Sequence, residues 1–425
     1  MKILLVEPEF PIPPTGKNHK NYLPVGLLKL ATYHKSKGDI VQLARGNLPR
    51  EKLDFDPDHI MITSLFTYWR KHVKQSVEHY KNLFPNAKTF VGGIYASLMP
   101  EDCKKYTGCD EVYAGVNKEA EKVTPDYSLV TDSNLGFQIV HSSRGCIRNC
   151  GFCGVSQIEP EFYYKKSIKK EVCSNRLVFY DNNILANPCI KDILREIADF
   201  RYKGKAVSCE SQCGFDGRLL TPEIATLIKK ARFKNVRIAW DGRFSDSKKT
   251  KKQIDMLTDA GYKRGDMFVF MIYNWEISFS EMEKKRRKCK EWGVQISDCR
   301  YRPMNQTHDD YNPYKRQTSR DYYIHPNWTD ELVKGFRRNV RKQNICVRMG
   351  FENYSAEKER EGVKRRHIRK KIIPLLLDLG YNIVKVRQVK KIENGWVAVC
   401  KISARHFEVK LSDSFQIRHI KEIRG

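Results

Sequence analysis

The sequence predicts an α/β chain in three parts. Three observations carry that prediction: strand–helix alternation over residues 1–125, a second run of it over 137–310, and a change to a two-residue period after Tyr381. The chain has 425 residues and is 40% hydrophobic, enough for two or three domains with cores of their own.

In the first part, residues 3–6 form a short apolar strand. Val25–Ser36 reads as a helix with Leu27, Leu28, Leu30, Ala31 and Tyr33 on or near one face. Residues 39–43, 60–63 and 89–91 read as strands, with a helix over 70–84 between the last two. Such alternation implies a parallel sheet covered by helices, whose ligands sit beyond the C-terminal strand ends. Those ends carry Pro11-Ile12-Pro13-Pro14-Thr15-Gly16, Thr63-Ser64 and Gly92-Gly93. Pro125, Asp132, Ser133, Asn134 and Gly136 mark a linker over 124–136.

The second part reads as six strands, at 137–141, 176–180, 206–213, 236–241, Phe268–Tyr273 and 294–301, with a helix over Pro222–Lys230. Strand alternation puts Ser208, Glu210 and Gln212 on one face and turns Arg237, Ala239 and Asp241 inward. Gln295, Ser297, Cys299 and Tyr301 share another face. Polar groups on a buried strand need partners, either a polar ligand or one another. Glu210, Gln212, Cys299 and Tyr301 are therefore the candidate catalytic groups.

The third part, 326–425, follows a polar loop over 305–321. It begins with two basic helices, over 328–344 and 356–379, the second kinked or divided at Pro374. Val384, Val386, Val389 and Ile392 then lead to Asn394-Gly395, a strong hairpin signal, and Trp396, Val397, Val399 and Ile402 follow. Phe407, Val409 and Leu411 make a third strand, and Phe415, Ile417 and Ile420 suggest a fourth. The result is a small β-domain with Lys385, Arg387, Lys401, Lys410 and Arg418 outward.

Composition narrows the function. Lys+Arg number 78 against 50 Asp+Glu, a net +28, which favours polyanionic partners, nucleic acid first; a generally solvated surface is the competing reading. The N-terminus does not read as a signal peptide, and no apolar stretch is long enough to span a bilayer, so no membrane partner is expected. The 13 cysteines are odd in number and scattered, unlike a secreted disulfide framework, and the expected home is a reducing cytoplasm.

The most informative segment is Ser143-Arg144-Gly145-Cys146-Ile147-Arg148-Asn149-Cys150-Gly151-Phe152-Cys153. Three thiolates spaced C-x3-C-x2-C can hold three irons of a cubic cluster and leave the fourth open. Most cluster sites use four cysteines, and an open position points to chemistry rather than structure. A structural zinc site, a disulfide or unrelated core thiols are the alternatives. Zinc usually takes four ligands, often as two C-x2-C pairs, and no second such pair occurs here. Cys209 and Cys213 repeat a three-residue gap. A second cluster there would need more ligands, with Cys173 or Cys189 nearest in sequence, and core packing is the simpler reading.

This loop, with Phe152 before the third cysteine, resembles that of the radical S-adenosylmethionine (radical SAM) superfamily. The resemblance implies a central partial (β/α)6 barrel and a [4Fe-4S] cluster on Cys146, Cys150 and Cys153. It also implies SAM chelated by the open iron, an electron donor such as flavodoxin or ferredoxin, and a 5′-deoxyadenosyl radical as product of SAM cleavage. Phe152, Asp181, Asn182, Asn183 and Asp241 fall where the family meets SAM, although its usual Glu-Ser is absent. The segments 23–31, 62–67 and 91–100 look like the cobalamin-binding, Rossmann-like domain in front of many such enzymes. That likeness implies cobalamin near Thr63, Ser64, Gly92 and Gly93; the cobalt-binding Asp-x-His-x-x-Gly motif is absent. The position of the C-terminal β-domain is similar to that of the RNA-binding barrel in tRNA-modifying methylthiotransferases, without a specific motif. Cys103 and Cys109 do not reproduce the N-terminal three-cysteine domain of those enzymes.

The expected activity is radical SAM modification of a nucleotide or nucleic acid. With cobalamin bound, methylation of carbon is favoured; without it, rearrangement, oxidation or sulfur insertion stay open. A small metabolite or peptide substrate is the rival, and so is a nucleic-acid-binding protein with a structural or sensory cluster.

Overall fold

Five parallel strands build the front sheet: β1 (Lys2–Glu7), β2 (Ile40–Arg45), β3 (His59–Ser64), β4 (Lys88–Gly93) and β5 (Glu111–Val112), in the order β2-β1-β3-β4-β5. The computed structural model describes residues 1–12, 23–130, 136–381, 384–402 and 405–423. The segment Pro13-Pro14-Thr15-Gly16 and part of the expected linker lie outside them. Ile3, Leu4, Leu5 and Val6 of β1 are all buried, as befits a parallel strand covered on both faces. Helix α1 (Val25–Ser36) lays Leu27 and Ala31 on Ile3 and Leu5 of the sheet while its Leu28 packs with Val130 and Ile139, and α2 (Arg70–Leu83) lays down Val73, Val77 and Tyr80, one helical stripe. The strand order reverses direction between β1 and β3, and the crevice at the C-terminal strand ends opens at such a switch point.

The six expected core strands are present and parallel. Gln138–Val140, Arg176–Phe179 and Ser208–Ser211 form one group with Arg176–Phe179 in the middle. Arg237–Ala239, Phe268–Tyr273 and Gln295–Arg300 form the other, centred on Phe268–Tyr273. Two single parallel bridges, Cys209 to Phe233 and Phe215 to Ile238, run between the groups. Val236, Ile238, Trp240, Val294 and Ile296 are buried, and Trp240 stacks on Trp292 at 5.4 Å. Lys285, fully buried, donates to the carbonyls of Trp240 (2.7 Å) and Gly242 (2.9 Å) and fixes the turn that carries Asp241.

The chain divides into two compact units, Met1–Val340 and Arg341–Gly425. The front sheet and the core strands belong to the first unit, and the division falls inside helix Asp330–Met349. In the second unit, helix Ala356–Asp378 runs past Pro374 without ending there. Its Ile368, Ile372 and Leu376 pack on Trp396, Ala398, Cys400, Val409 and Leu411 of a four-stranded antiparallel sheet. The strands Val384–Ile392, Gly395–Ile402, Arg405–Leu411 and Ile417–Ile423 follow chain order; the first hairpin turns at Glu393-Asn394, one residue earlier than the Asn-Gly signal suggests, because Gly395 pairs with Ile392 as the first residue of the next strand.

Candidate active site

The cysteine loop is set by the residues that enter it. After Gln138–Val140, Ser142 and Ser143 turn back onto Asp181. The Asp181 carboxylate accepts the backbone N–H of Ser142 (3.0 Å) and of Ser143 (2.6 Å) and both hydroxyls (2.6 and 2.8 Å). Burial pushes this carboxyl above its usual range, and the serine hydrogen bonds oppose that rise. Ser143–Arg144 then pairs antiparallel with Tyr163–Tyr164. Gly145 follows at φ +74, where a Cβ would lie 2.3 Å from the Glu161 carbonyl oxygen, so the chain can enter the loop here only as glycine.

Within the loop, the Cys153 N–H donates to the Cys150 carbonyl (2.9 Å) and the Arg148 N–H to Cys146 Sγ (3.4 Å). Arg148 is anchored through Nε to Asp216 (3.0 Å). Asn183 Nδ2 reaches the same carboxylate at 3.3 Å and Cys146 Sγ at 3.8 Å. All three thiols are free and half-buried. Burial pushes up the Cys150 thiol, and the charges of Asp241 and Cys153 add to it; Cys153 is raised by burial and by Cys146 and Asp241. Thiols that resist one another's ionisation suit a cationic group, whose binding drives the protons off. Among the described residues no three His, Cys, Asp or Glu side chains converge closely enough to hold one metal ion. A cluster spreads its ligands over separate irons, and three free thiols on one loop fit it.

Two cavities flank the loop. The larger, about 600 Å³, lies between the C-terminal edge of the front sheet and the core, lined by Thr63, Gly92 and Gly93 on one side and Tyr180, Asn182 and Gln212 on the other. Gly93 has φ +96, and a Cβ there would strike the Ser64 carbonyl at 2.2 Å; the sheet edge therefore presents bare backbone. Four lining glycines, Gly26, Gly92, Gly93 and Gly115, leave room for a broad ligand to approach the main chain. The cavity wall is charged. Arg144 pairs with Glu159 (2.6 Å) and Glu121 (3.5 Å), Glu121 pairs with Lys29 of α1 (2.6 Å), and Glu159 also accepts from Gly145 N (2.8 Å) and Asn182 Nδ2 (2.9 Å). Burial, reinforced by the Arg144 cation, holds His141 well below its usual range, so its neutral ring takes the Arg144 guanidinium at 2.8 Å.

The smaller cavity, about 300 Å³, touches the loop at Phe152 and Gly154 and is walled by Phe66, Tyr68, Cys299, Tyr301 and Arg302; Ile94 lines both cavities. The Phe66 and Tyr68 rings stack at 5.0 Å, and the Arg302 guanidinium lies 5.0 Å from the centre of Tyr68. Arg300 and Arg302, both in the cavity wall, pair with Asp309 and so tie the 305–321 loop to that wall.

The structure thus gathers Thr63, Gly92, Gly93, Asn182 and Gln212 at one cavity, and Phe152, Cys299 and Tyr301 at the other. Other predicted residues are placed differently. Asp181 is fully buried behind the loop, its oxygens occupied by the two serines, and braces the loop instead of facing a ligand. Ser64 is buried, bonding Gly92 O (2.7 Å) and Ala96 N (3.1 Å). Glu210 is paired with Arg237 at 2.6 Å, so those two inward polar groups satisfy each other. Asp241 lines neither cavity, but its charge reaches Cys150 and Cys153, and burial lifts its carboxyl. Cys209 is buried in the core while Cys213 opens into the larger cavity, its thiol pushed up to about 12 by burial and by Asp181. Sequence reasoning missed Glu159, Asp216 and Glu121, which no motif marks, and Lys29, which lies within the 23–31 segment but was not singled out.

No protein-family model matches the chain, and no curated protein matches it. Among solved structures the fold is similar to that of TsrM from Kitasatospora setae, a radical S-adenosylmethionine methyltransferase. The structure with cobalamin and a [4Fe-4S] cluster bound aligns with a TM-score of 0.56 at 13% identity, covering 72% of this chain and 77% of TsrM. The structure with tryptophan substrate and a SAM analogue bound aligns with a TM-score of 0.55 at 12% identity, covering 72% and 75%. The chain thus has a mixed α/β fold with parallel sheets like that of a radical SAM methyltransferase.

Proposed function

We propose that this chain is a cobalamin-dependent radical SAM methyltransferase. The observation that carries the proposal is the placement of the C-x3-C-x2-C loop: Arg144 before it and Glu159 after it face the larger cavity, while Phe152 and Gly154 face the smaller. One loop can therefore serve a broad cofactor on one side and a substrate on the other. The TsrM fold, seen with the same three cofactors or their analogue, supports the reading.

In this reading Cys146, Cys150 and Cys153 hold a [4Fe-4S] cluster and leave one iron for SAM. When bound, the reduced cluster supplies an electron to the SAM sulfonium and cobalamin supplies a methyl carrier. The residues of the chain bind, orient and exclude water. Thr63, Gly92 and Gly93 present the edge on which the cobalamin rests. Asn182 and Gln212 reach SAM from the core wall, Asn183 and Phe152 flank it at the loop, and Asp241 supplies a negative charge for its cationic end. Asp181, Glu159 and Asp216 are positioning residues that fix the loop. Cys299 and Tyr301 are the groups placed to touch a substrate, in a cavity whose aromatic walls keep water out; burial pushes the Cys299 thiol up to about 11, so it stays protonated at neutral pH. The net charge of +28 supports a nucleotide or nucleic acid as acceptor. The electron donor is a flavodoxin or ferredoxin. Thirteen free cysteines support a cytoplasmic setting, and no helix among the described residues is long and apolar enough to cross a membrane.

Anaerobic reconstitution with iron, sulfide and hydroxocobalamin, then incubation with trideuteromethyl-SAM and reductant, tests the proposal. The expected products are 5′-deoxyadenosine and S-adenosylhomocysteine, with the label appearing in a nucleoside when RNA or DNA is digested. Yields no higher than those of Cys150→Ala would sink it.

A further inference from the structure

We infer that the open face of the C-terminal sheet docks single-stranded nucleic acid. The strand register assigns the faces. Trp396, Ala398, Cys400 and Ile402 point to the helix Ala356–Asp378, so Val397, Val399 and Lys401 point away. Their cross-strand partners are Lys390, Gln388 and Lys385 on one side and Lys410, Glu408 and His406 on the other. Beyond those, His419 pairs with Lys410, Lys421 with Glu408 and Ile423 with His406. One face thus carries Lys385, Lys390, Lys401, Lys410 and Lys421 with two imidazoles and a single acid. Four of these lysines are exposed and Lys401 is half-exposed.

This arrangement is unfavourable on its own. Lys385 stands directly opposite Lys401, and like charges directly opposite in a sheet repel. Among the described residues Lys385, Lys390, Lys401 and Lys421 have no ion-pair partner, and Lys410 meets Glu408 only at 3.9 Å. Lysine on edge strands guards against sheet-to-sheet aggregation. That accounts for Lys385, Lys390 and Lys421, but Lys401 and Lys410 sit on the two inner strands. A regularly spaced polyanion removes the conflict. The large apolar side chains of this face, Ile392 and Ile423, stand at its opposite ends with the lysines between them, too far apart to form a patch that inserts into a bilayer. The His406 and His419 rings of the face suit unstacked bases, which stack on such rings while phosphates take the lysines, and the half-buried Val397 and Val399 leave an apolar floor between them. The inference deepens the nucleic-acid reading of the substrate, and binding itself does not depend on the cluster.

Fluorescence anisotropy on the full-length chain tests it, with a labelled RNA of about 20 nucleotides, the same sequence as DNA, and the RNA duplex. Single strands should bind with an affinity that falls as salt rises, with a log–log slope of about −3.5 for five phosphate contacts. The triple variant Lys385→Gln, Lys401→Gln, Lys410→Gln should lower that slope by about 2 and weaken binding at least about tenfold. It should also keep or raise Tm at low salt, which separates lost binding from lost folding. Lys248→Gln, Lys252→Gln, Lys284→Gln, the same charge change at exposed sites in the first unit, should alter neither. Cys150→Ala should bind as wild type does, so loss of the radical reaction and loss of docking are read separately. RNA preferred over DNA, or the two bound equally, both sustain the inference and identify the source. Equal effects of the two triple variants would overturn it. So would stronger binding to the duplex, to polyglutamate or to phosphatidylserine vesicles than to the single strands.

Discussion

Two glycines of the cysteine loop should respond oppositely to the same substitution. At Gly145, φ is +74 and an added Cβ would meet Glu161 O at 2.3 Å, Glu161 C at 3.0 Å and Phe162 Cα at 3.1 Å, all backbone atoms of the facing strand segment. Restoring an ordinary contact at 3.4 Å or beyond requires the two chains to part by about 1 Å. The left-handed conformation costs an alanine about 1–2 kcal/mol, and overpacking against rigid neighbours a further ~1–3 kcal/mol. Gly145→Ala should therefore disfavour the native loop by about 2–5 kcal/mol, at least about thirty-fold in the fraction ready to take up a cluster. Gly151 lies in the same loop, between Cys150 and Phe152, with nothing within 4 Å of its virtual Cβ and no positive φ. Gly151→Ala should be neutral or slightly stabilising. Iron and sulfide per chain after anaerobic reconstitution, with urea unfolding of both apo-proteins, measure the contrast. A Gly145→Ala protein that loads iron as fully as Gly151→Ala would refute the steric reasoning.

Three further outcomes are expected. Glu159→Ala removes the partner of Arg144, Gly145 N and Asn182; cluster loading should fall and the EPR signal of the reduced cluster should broaden, whereas Glu159→Gln should restore part of both. Asp309→Ala leaves Arg300 buried without its carboxylate and should cost about 3–5 kcal/mol by urea unfolding. Burial alone would raise the Asp309 carboxyl, but the Arg302 and Arg300 cations hold it below its usual range, so this contribution is present at neutral pH and lost on acidification; the variant should show a shallower acid limb. Burial brings Lys285 down to about 8, below its unfolded value of 10.5. The unfolded chain then binds more protons between those values, and stability should rise with pH there, by about 2 kcal/mol between pH ~7.5 and ~9.5, an increment that Lys285→Met should lack.

The sequence made some features legible and hid others for physical reasons. The cluster loop was readable because ligand spacing is local and the thiols need only a short turn to converge. Helices α1 and α2 and the first C-terminal hairpin were readable because a 3.6-residue stripe and a two-residue alternation interrupted by polar residues each leave a periodic or compositional mark, although the turn itself falls one residue earlier than Asn394-Gly395. Asp181 was found by position but not by role: the end of a strand does not tell whether a carboxylate faces a cavity or turns back to bind Ser142 and Ser143. Glu210 and Arg237 were each placed inward by alternation, yet nothing in either strand disclosed that they meet. Glu121, Glu159 and Asp216 were invisible because each acts on a residue distant in the chain, and such pairings emerge only once the sheet and the core have packed.

The ion-pair chain from Lys29 through Glu121 to Arg144 has a consequence for how this protein is assembled. Lys29 belongs to the first helix of the chain, whereas Arg144 stands two residues before the first cysteine. A fragment spanning 137–310 would carry every cysteine of the motif and all six core strands, yet Arg144 would keep Glu159 and lose Glu121. The core is therefore not a portable module. The residues that brace the loop are thus drawn from the front part of the chain as well as from the core, and a 137–310 fragment should load iron less fully than the whole chain.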